Sequence, residues 1–406
     1  MQLYLLALNP TDSVTCGFLP AARRMGLHVT LLTDRPQEHT AQTAPGPGGE
    51  PGAPVEVLGC DVRDAASVIA RISGHRPPGA VFTNSDHLQM QAALAAEYFG
   101  LPGKDWQAAL RTKDKAEMRR HLAAAGAGTV RADEITSEDD LPSRLAVLEV
   151  PFPCVVKPRE GVASEDVFLA EDAAELARRC AEIRARRPGA ALVVEEYLPG
   201  ELHTLETVGD ADRLHGLGGF RTRLSPPPYF VEQRMTYERE LPAPLREAVL
   251  AQLGVLGVQL GACHTEFVVH DGRARIVEVN YRAVGDHGDL LLADQLGIPL
   301  FEYILGVHLG EPLPPELPVR RGGAARIDYP CADRAGTLTA APAASDEDRA
   351  GVRQVYGPMR AVGERHDLHH TNRDYLGALR TTGPDQPSVD RAAEDFLAAQ
   401  RWEITP

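Results

Sequence analysis

Across the first hundred residues, short apolar runs alternate with helical patterns, and this alternation restricts the fold more than any other feature of the chain. Residues 3–8, 29–32, 55–58 and 80–83 read as strands, and 18–25, 65–72 and 89–99 as helices. Apolar strands this short, separated by helices, build a small parallel sheet, because each helix carries the chain back across the sheet. A Pro/Gly-rich stretch at 44–54 reads as a mobile loop. No GxGxxG is present, so the layer is Rossmann-like without its phosphate loop.

The pattern changes further along. A helix at 112–125 carries Lys113 and Lys115. A strand at 153–157, a helix at 173–185 and a strand at 191–196 follow, then strand signals through 204–222. Residues 244–260 read as a helix with proline suited to its first turn. Strands at 264–269 and 274–280 flank His270-Asp271-Gly272, a hairpin signal. Residues 289–309 read as helical with breaks near Gly297 and Pro299, 311–318 as a Pro-rich linker, and 319–406 as a smaller lobe of short strands with a last helix at 389–400. The class is α/β and α+β, multidomain, since 406 residues exceed one compact core.

Composition narrows the function. A net charge of -15 argues against a nucleic-acid partner, which would need a basic footprint. Six cysteines without a CxxC pair fit a reducing compartment. Residues 1–10 lack a basic n-region, so no secretory leader is expected. The longest apolar stretch, 290–309, is interrupted by Asp294, Gln295, Glu302 and His308, so no membrane span is expected. A cytoplasmic protein follows from these points. Only four basic residues are lysines: Lys104, Lys113, Lys115 and Lys157. The plain reading is a codon bias toward arginine; under such a bias, a retained lysine suggests a place for a compact ammonium.

Three groups of residues carry chemistry. The hairpin holds Glu266 on one strand, and Glu278 and Asn280 on the other. Mid-strand carboxylates are costly unless paired or metal-bound, and two glutamates with an asparagine are hard ligands suited to magnesium. A two-residue turn at Asp271-Gly272 sets Glu266 opposite Val277, so only an odd loop or an equivalent bulge brings Glu266 and Glu278 onto one face. Otherwise Glu278 faces solvent on a half-exposed strand. Lys157 ends a strand and precedes Arg159-Glu160-Gly161-Val162-Ala163-Ser164, where small residues allow backbone to approach a triphosphate; a solvated edge lysine is the plain alternative. Lys115 and Lys113 read equally well as solvent-facing helical lysines. Val193-Val194-Glu195-Glu196-Tyr197-Leu198 runs a strand into an acidic pair and an aromatic, offering acceptors and apolar walls to an adenine, or simply a solvated strand end.

In this order and spacing the motifs resemble the ATP-grasp superfamily, carboxylate–amine ligase type, over roughly residues 112–308. The resemblance implies an ATP-grasp fold with an N-terminal Rossmann-like pre-grasp domain (1–105), a nucleotide-binding lobe (106–198), a central catalytic lobe (199–315) and a small C-terminal lobe (316–406). It implies ATP bound by Lys115, Lys157, Ser164, Glu195, Glu196, Tyr197 and Leu198, with Glu201 or Glu206 on the ribose, where an ungapped match places Leu202. It also implies one or two Mg2+ ions on Glu266, Glu278 and Asn280, replaceable by Mn2+. Arg282 and Lys157 are the implied catalytic groups. Tyr281 stands where the family carries proline.

The stretch around Arg221, Tyr229 and Phe230 is similar to the substrate side of L-amino acid ligases, which join an acid and an amine through an acyl phosphate. With Arg282, these residues are the candidate substrate contacts; a proline-stiffened surface loop is the alternative. The expected partners are therefore a small-molecule carboxylate and amine, amino acids foremost, and the family also allows a homodimer. Secondary-metabolite synthesis suits the family, though no residue specifies it. A non-amine acceptor and a non-catalytic ATP sensor are the rival readings. His366, His369 and His370 form no metal pattern with other clusters and read as a loop or a strand capping the active site.

Overall fold

The computed structural model describes residues 1–43, 55–128 and 130–406. The Pro/Gly-rich stretch at 44–54 lies outside the described residues. The N-terminal layer is a parallel sheet in the order Glu56–Gly59, His28–Thr33, Gln2–Leu6, Ala80–Phe82. Leu5 pairs with Leu31 on one side and Phe82 on the other. Both faces are covered: Leu3 and Leu5 join a cluster with Phe18, whereas Tyr4 and Leu6 meet Val68 and Ile72. Burial on both sides is why these strands read as continuous apolar runs. A further helix, Pro36–Thr43, opens on a proline, which suits a first turn.

The single helix expected at 112–125 is two, Trp106–Lys113 and Lys115–Ala124. Asp114 breaks them. It leaves the helical conformation and its carboxylate accepts from the Ala116 and Glu117 amides, an N-cap that starts the second helix afresh. Lys115 thereby becomes a first-turn residue.

A four-stranded antiparallel sheet follows, ordered Ala132–Ile135, Leu192–Glu196, Cys154–Pro158, Phe168–Ala170. The helix Ala173–Arg186 buries Leu176, Cys180 and Ile183 against Val156 and Val194. The largest sheet begins with the hairpin Arg273–Asn280 and Leu260–His270 and passes through Leu202–Asp210, Gly219–Leu224 and Glu232–Glu238. It then continues without a break into Ala324–Asp328, Gly377–Gly383, Val352–Pro358 and Ser345–Arg349, with Arg234 paired to Asp328. Residues after 316 thus extend the central sheet and add a three-stranded sheet around Gly336–Ala340.

Helix Ala243–Leu256 packs Val249, Leu253 and Leu256 on Phe267 and Ile276 of the hairpin. Gly288–Leu296 and Leu300–His308 are separated at Gly297 and Pro299, as the sequence indicates, and meet at 105°. Among the described residues no single helix is long and apolar enough to cross a membrane. This bent pair passes only jointly, and Leu291, Leu292, Ile304 and Leu305 are buried in the core.

Candidate active site

The hairpin turn has two residues, closed by the pair His270 and Arg273. Asp271 and Gly272 both take positive φ, 49° and 70°, which a two-residue hairpin of this twist requires. That turn alone would seat Glu266 opposite Val277. Instead the register shifts after Phe267–Ile276, Val277 is skipped, and Glu266 pairs directly with Glu278. The bulge supplies the missing parity and puts both carboxylates on one face. Both line the main cleft.

Facing like charges need compensation. Lys115 Nζ lies 2.8 Å from Glu278 Oε1 and also donates to the Gly161 carbonyl at 3.1 Å. Glu266 Oε1 is 3.4 Å from Asn280 Nδ2 and 3.5 Å from His264 Nε2. Burial opposes the charge on Glu278, but Lys115 overcomes it and holds the carboxyl below its ordinary range. His264 is pinned by Glu206 at 2.7 Å. Burial disfavours its cation, yet Glu206 and then Glu266 push it up to about 10.

Lys157 sits near the end of its strand with Nζ 2.8 Å from Glu195 Oε2. Arg119 grips the same carboxylate in two-point fashion, at 2.7 and 3.0 Å, and donates to the Ile276 carbonyl. Burial raises Glu195, but Arg119 and Lys157 bring it down to about 2. Both Glu195 oxygens are therefore engaged within the protein, and Glu196 Oε1 accepts from the Arg131 amide at 2.9 Å. Glu195, read from the sequence as an adenine acceptor, is turned to structural partners, whereas Glu196 keeps its second oxygen and lines the cleft. The hinge still lines the cleft through Tyr197 and Leu198. Arg119 escaped sequence reading, although it lies four residues after Lys115, on the same helical face.

The loop after Lys157 covers the cleft through Gly161, Val162, Ser164 and Glu165. Ala163, Ser164 and Asp166 all have φ near +56°, a conformation non-glycine residues adopt only when held. Several contacts hold it. Ser164 Oγ donates to the Phe230 carbonyl at 2.9 Å, the Asn372 amide to the Ala163 carbonyl at 3.2 Å, and Glu165 pairs with Arg187 and Arg373 at 2.6 and 2.7 Å. The C-terminal region thus clasps the loop. His366 pairs with Asp374 at 2.9 Å, and His370 stacks on Tyr229 with centroids 4.2 Å apart. These histidines build the clasp. Among the described residues no group of three His, Cys, Asp or Glu side chains could hold a metal ion.

Arg282 lies beyond the cleft lined by the lysines. Its Nε donates to Asp86 at 2.8 Å and its Nη1 to the Ala283 carbonyl at 2.8 Å. Lys113 stands near Asp86 and Glu278, half-buried, with its ammonium disfavoured by burial. Tyr281 has a task proline could not perform: its hydroxyl accepts from the Gln259 and Leu260 amides, both at 3.0 Å. Arg221 is half exposed beside Glu201 and Glu238, and neither Arg221 nor Glu201 lines the cleft. Glu206 is buried against His264 and Thr204. Phe230 lines the cleft, whereas Tyr229 backs it against Phe168. Glu232, which ends the stretch likened from the sequence to a substrate side, is a cleft-lining carboxylate; burial and the Glu266 charge push it up to about 8.

No protein-family model matches the chain. A protein of Sinorhizobium fredii (strain NBRC 101917 / NGR234), described as uncharacterized, is 24% identical over 425 residues, spanning 100% of this chain and 84% of that one. The crystal structure of L-amino acid ligase from Bacillus licheniformis superposes with a TM-score of 0.79 at 19% identity, covering 100% of this chain and 99% of that one. The biotin carboxylase domain of Hydrogenobacter thermophilus 2-oxoglutarate carboxylase, solved with MgADP, gives 0.71 at 15% identity, covering 99% and 91%. The chain has the ATP-grasp fold. It resembles the carboxylate–amine ligases built on that fold.

The ATP-grasp cleft fits magnesium by its donor chemistry. Glu266 and Glu278 present hard oxygens side by side. Magnesium takes one or two carboxylates and completes its shell with phosphates and water, so no third acid is required.

Proposed function

We propose that the chain is an ATP-dependent carboxylate–amine ligase, joining amino acids or close analogues through an acyl phosphate. The observation that carries this reading is the bulged hairpin, which sets Glu266 and Glu278 face to face in the cleft that Lys115 and Lys157 enter. A protein that only sensed ATP would have no need of both carboxylates.

ATP would lie between the four-stranded sheet and the central sheet. Its adenine would meet the apolar wall of Val155, Tyr197, Leu198 and Leu202. Because the Glu195 carboxylate is occupied, Glu196 and backbone groups of the hinge would read the adenine edge. Lys115 stands at a helix N-terminus, where its own charge opposes the helix dipole. A cation placed there makes that end strongly attractive to an anion, and its pairing with Glu278 offsets the cost. Lys115 and Lys157 would neutralise phosphate oxygens. Glu266, Glu278 and Asn280 would hold one or two Mg2+ ions, which supply charge neutralisation on the transferring phosphoryl group.

The substrate carboxylate attacks the γ-phosphorus and ADP leaves. The uncharged amine then attacks the acyl carbon, the C–N bond forms, the C–O bond to phosphate breaks, and the nitrogen gives up a proton to the departing phosphate or to solvent. The loop clasped over the cleft excludes water from the acyl phosphate. Arg282, oriented by Asp86, would hold carboxylate or phosphoryl oxygens with its remaining donors. A screen of amino acid pairs for phosphate release with ATP and Mg2+, products identified by mass spectrometry, tests the reading. Absence of any amide across the screen refutes it.

A further inference from the structure

ATP carries its sugar between base and triphosphate, so the register of the central sheet decides which side chains the sugar meets. Glu266 marks the phosphate end of the cleft and pairs with Thr204. Two residues nearer the hinge, Val268 pairs with Leu202, and Leu202 pairs with Thr222 on its other side. Directly opposed residues of antiparallel strands share a face, as do residues two apart on one strand. Leu202 and Val268 therefore lie on the face that carries Glu266, about 7 Å from it along the strands at the usual rise per residue. Both line the cleft, as do Gly200 and Leu224. The floor beneath a sugar at this step is aliphatic.

The carboxylates of this strand and of the hinge are turned elsewhere. Glu201 stands 3.8 Å from both His203 Nε2 and Arg221 Nη1, and none of these three residues lines the cleft. Glu206 is buried, and its Oε1 accepts from Thr204 and lies 2.7 Å from His264 Nδ1. Glu196 belongs to the hinge, with Oε1 on the Arg131 amide and Arg275 4.0 Å away. Thr222, opposite Leu202, adds an independent sign. Its hydroxyl is buried without a hydrogen-bond partner, and the residue does not line the cleft. Opposed side chains stand close enough to interact. A polar side chain at 202 would give that hydroxyl a partner, and leucine cannot.

We propose that Leu202 leaves the sugar hydroxyls of the nucleotide unread by any side chain, so that the cleft takes 2′-deoxy-ATP and 2′,3′-dideoxy-ATP as readily as ATP. The proposal rests on the reading of this cleft as an ATP site. A hydroxyl laid on leucine and valine gives up water without gaining a bond, so its removal is neutral or favourable. A carboxylate at 202 would reverse this, because every hydroxyl removed would then cost a charge-assisted hydrogen bond. Choice of nucleotide falls instead to the adenine wall and to the lysines at the triphosphate.

Titration calorimetry on the full chain, with the magnesium salts of ATP, 2′-deoxy-ATP and 2′,3′-dideoxy-ATP, tests this without need of turnover. The three dissociation constants of the wild type should agree within about threefold. Leu202→Glu should create a preference for ATP over the dideoxy nucleotide of about tenfold or more, and Leu202→Gln a smaller one. Leu202→Ala should weaken all three alike, since it removes only apolar contact. A wild-type preference for ATP of tenfold or more over either analogue overturns the proposal. If Glu201→Ala abolishes that preference, Glu201 is the reader in its place. The wild-type comparison needs no variant to fold. A protein that binds none of the three nucleotides overturns the ATP reading, and this proposal with it. Equal binding of all three without amide formation supports the proposal and refutes only the ligase reading.

Discussion

Replacing Lys157 with methionine separates a nucleotide ligand from a structural ion pair. The lysine neutralises Glu195, but so does Arg119, which holds both oxygens of that carboxylate. Deleting one partner of a buried pair typically costs about 3–5 kcal/mol, because the other charge is left unpaired. Lys157→Met does not leave Glu195 unpaired, so its cost should be nearer about 1.5–3 kcal/mol, the loss of one hydrogen bond to a charged group. Arg119→Met also leaves Glu195 one partner, Lys157, but it removes two hydrogen bonds to that carboxylate and the donor to the Ile276 carbonyl, so it should cost more, about 3–5 kcal/mol. Affinity should follow the opposite order. A phosphate contact worth roughly 1.5–3 kcal/mol means that Lys157→Met weakens ATP binding about 10- to 100-fold. Urea unfolding gives the first comparison and titration calorimetry with MgATP the second. If Lys157→Met unfolds as readily as Arg119→Met and still binds ATP normally, the lysine is a structural counter-ion and its phosphate role is refuted.

Other outcomes follow from the same geometry. Glu278→Gln should cut turnover by about 10² or more, as loss of an electrostatic stabiliser does, while the fold survives because facing carboxylate repulsion also disappears; coupled ADP release reads it, and full activity removes Glu278 from the metal site. Arg282→Lys should lower activity at least about tenfold, since one ammonium cannot keep both the Asp86 and Ala283 contacts and still present a donor to substrate; steady-state rates decide it. His308 is buried, and burial lowers its imidazole to about 3, with Lys104 adding to the shift. The native chain therefore binds no proton there, while the unfolded chain does below about pH 6.5, so stability is full above that pH and falls as pH drops. Between pH 6.5 and 5, wild type should lose about 2 kcal/mol more than His308→Phe in urea unfolding, and parallel losses would show that His308 is not the group responsible.

How much of this was legible in the residues varies with the range of the interaction. The parallel layer was readable because strands buried on both faces are apolar throughout, and the break at Gly297 and Pro299 because those residues announce it. Cross-strand pairing of Glu266 with Glu278 was readable as a parity condition, but the means of meeting it was not. A two-residue turn with a skipped Val277 and a longer turn satisfy the condition equally, and nothing local distinguishes them. Asp114 was misjudged for a local reason: helical periodicity runs through it, and its capping geometry interrupts the helix without disturbing the pattern. Arg119 and Asp86 stayed hidden because each acquires meaning from a partner far along the chain, Glu195 and Arg282 respectively. The continuity of the central sheet past residue 316 is of the same kind, since Arg234 and Asp328 pair across a long separation.

The lysines tie composition to geometry. In a chain with 42 basic residues and only four lysines, arginine is the default cation. Lys104, Lys115 and Lys157 are 8%, 4% and 4% exposed, and Lys113 is half-buried. Lys104 stands over the Tyr281 ring at 4.2 Å and donates to the Tyr281 carbonyl, next to Asn280 and Arg282. Lys115 bridges the covering loop and Glu278, and Lys157 shares Glu195 with an arginine already there. A planar guanidinium in any of these places would carry more donors to satisfy than an ammonium does. Four compact ammonium groups therefore gather where the N-terminal layer, the four-stranded sheet and the bulged hairpin meet. Of the four, Lys115 and Lys157 line the cleft, whereas Lys104 is taken up by Gln89 and Tyr281.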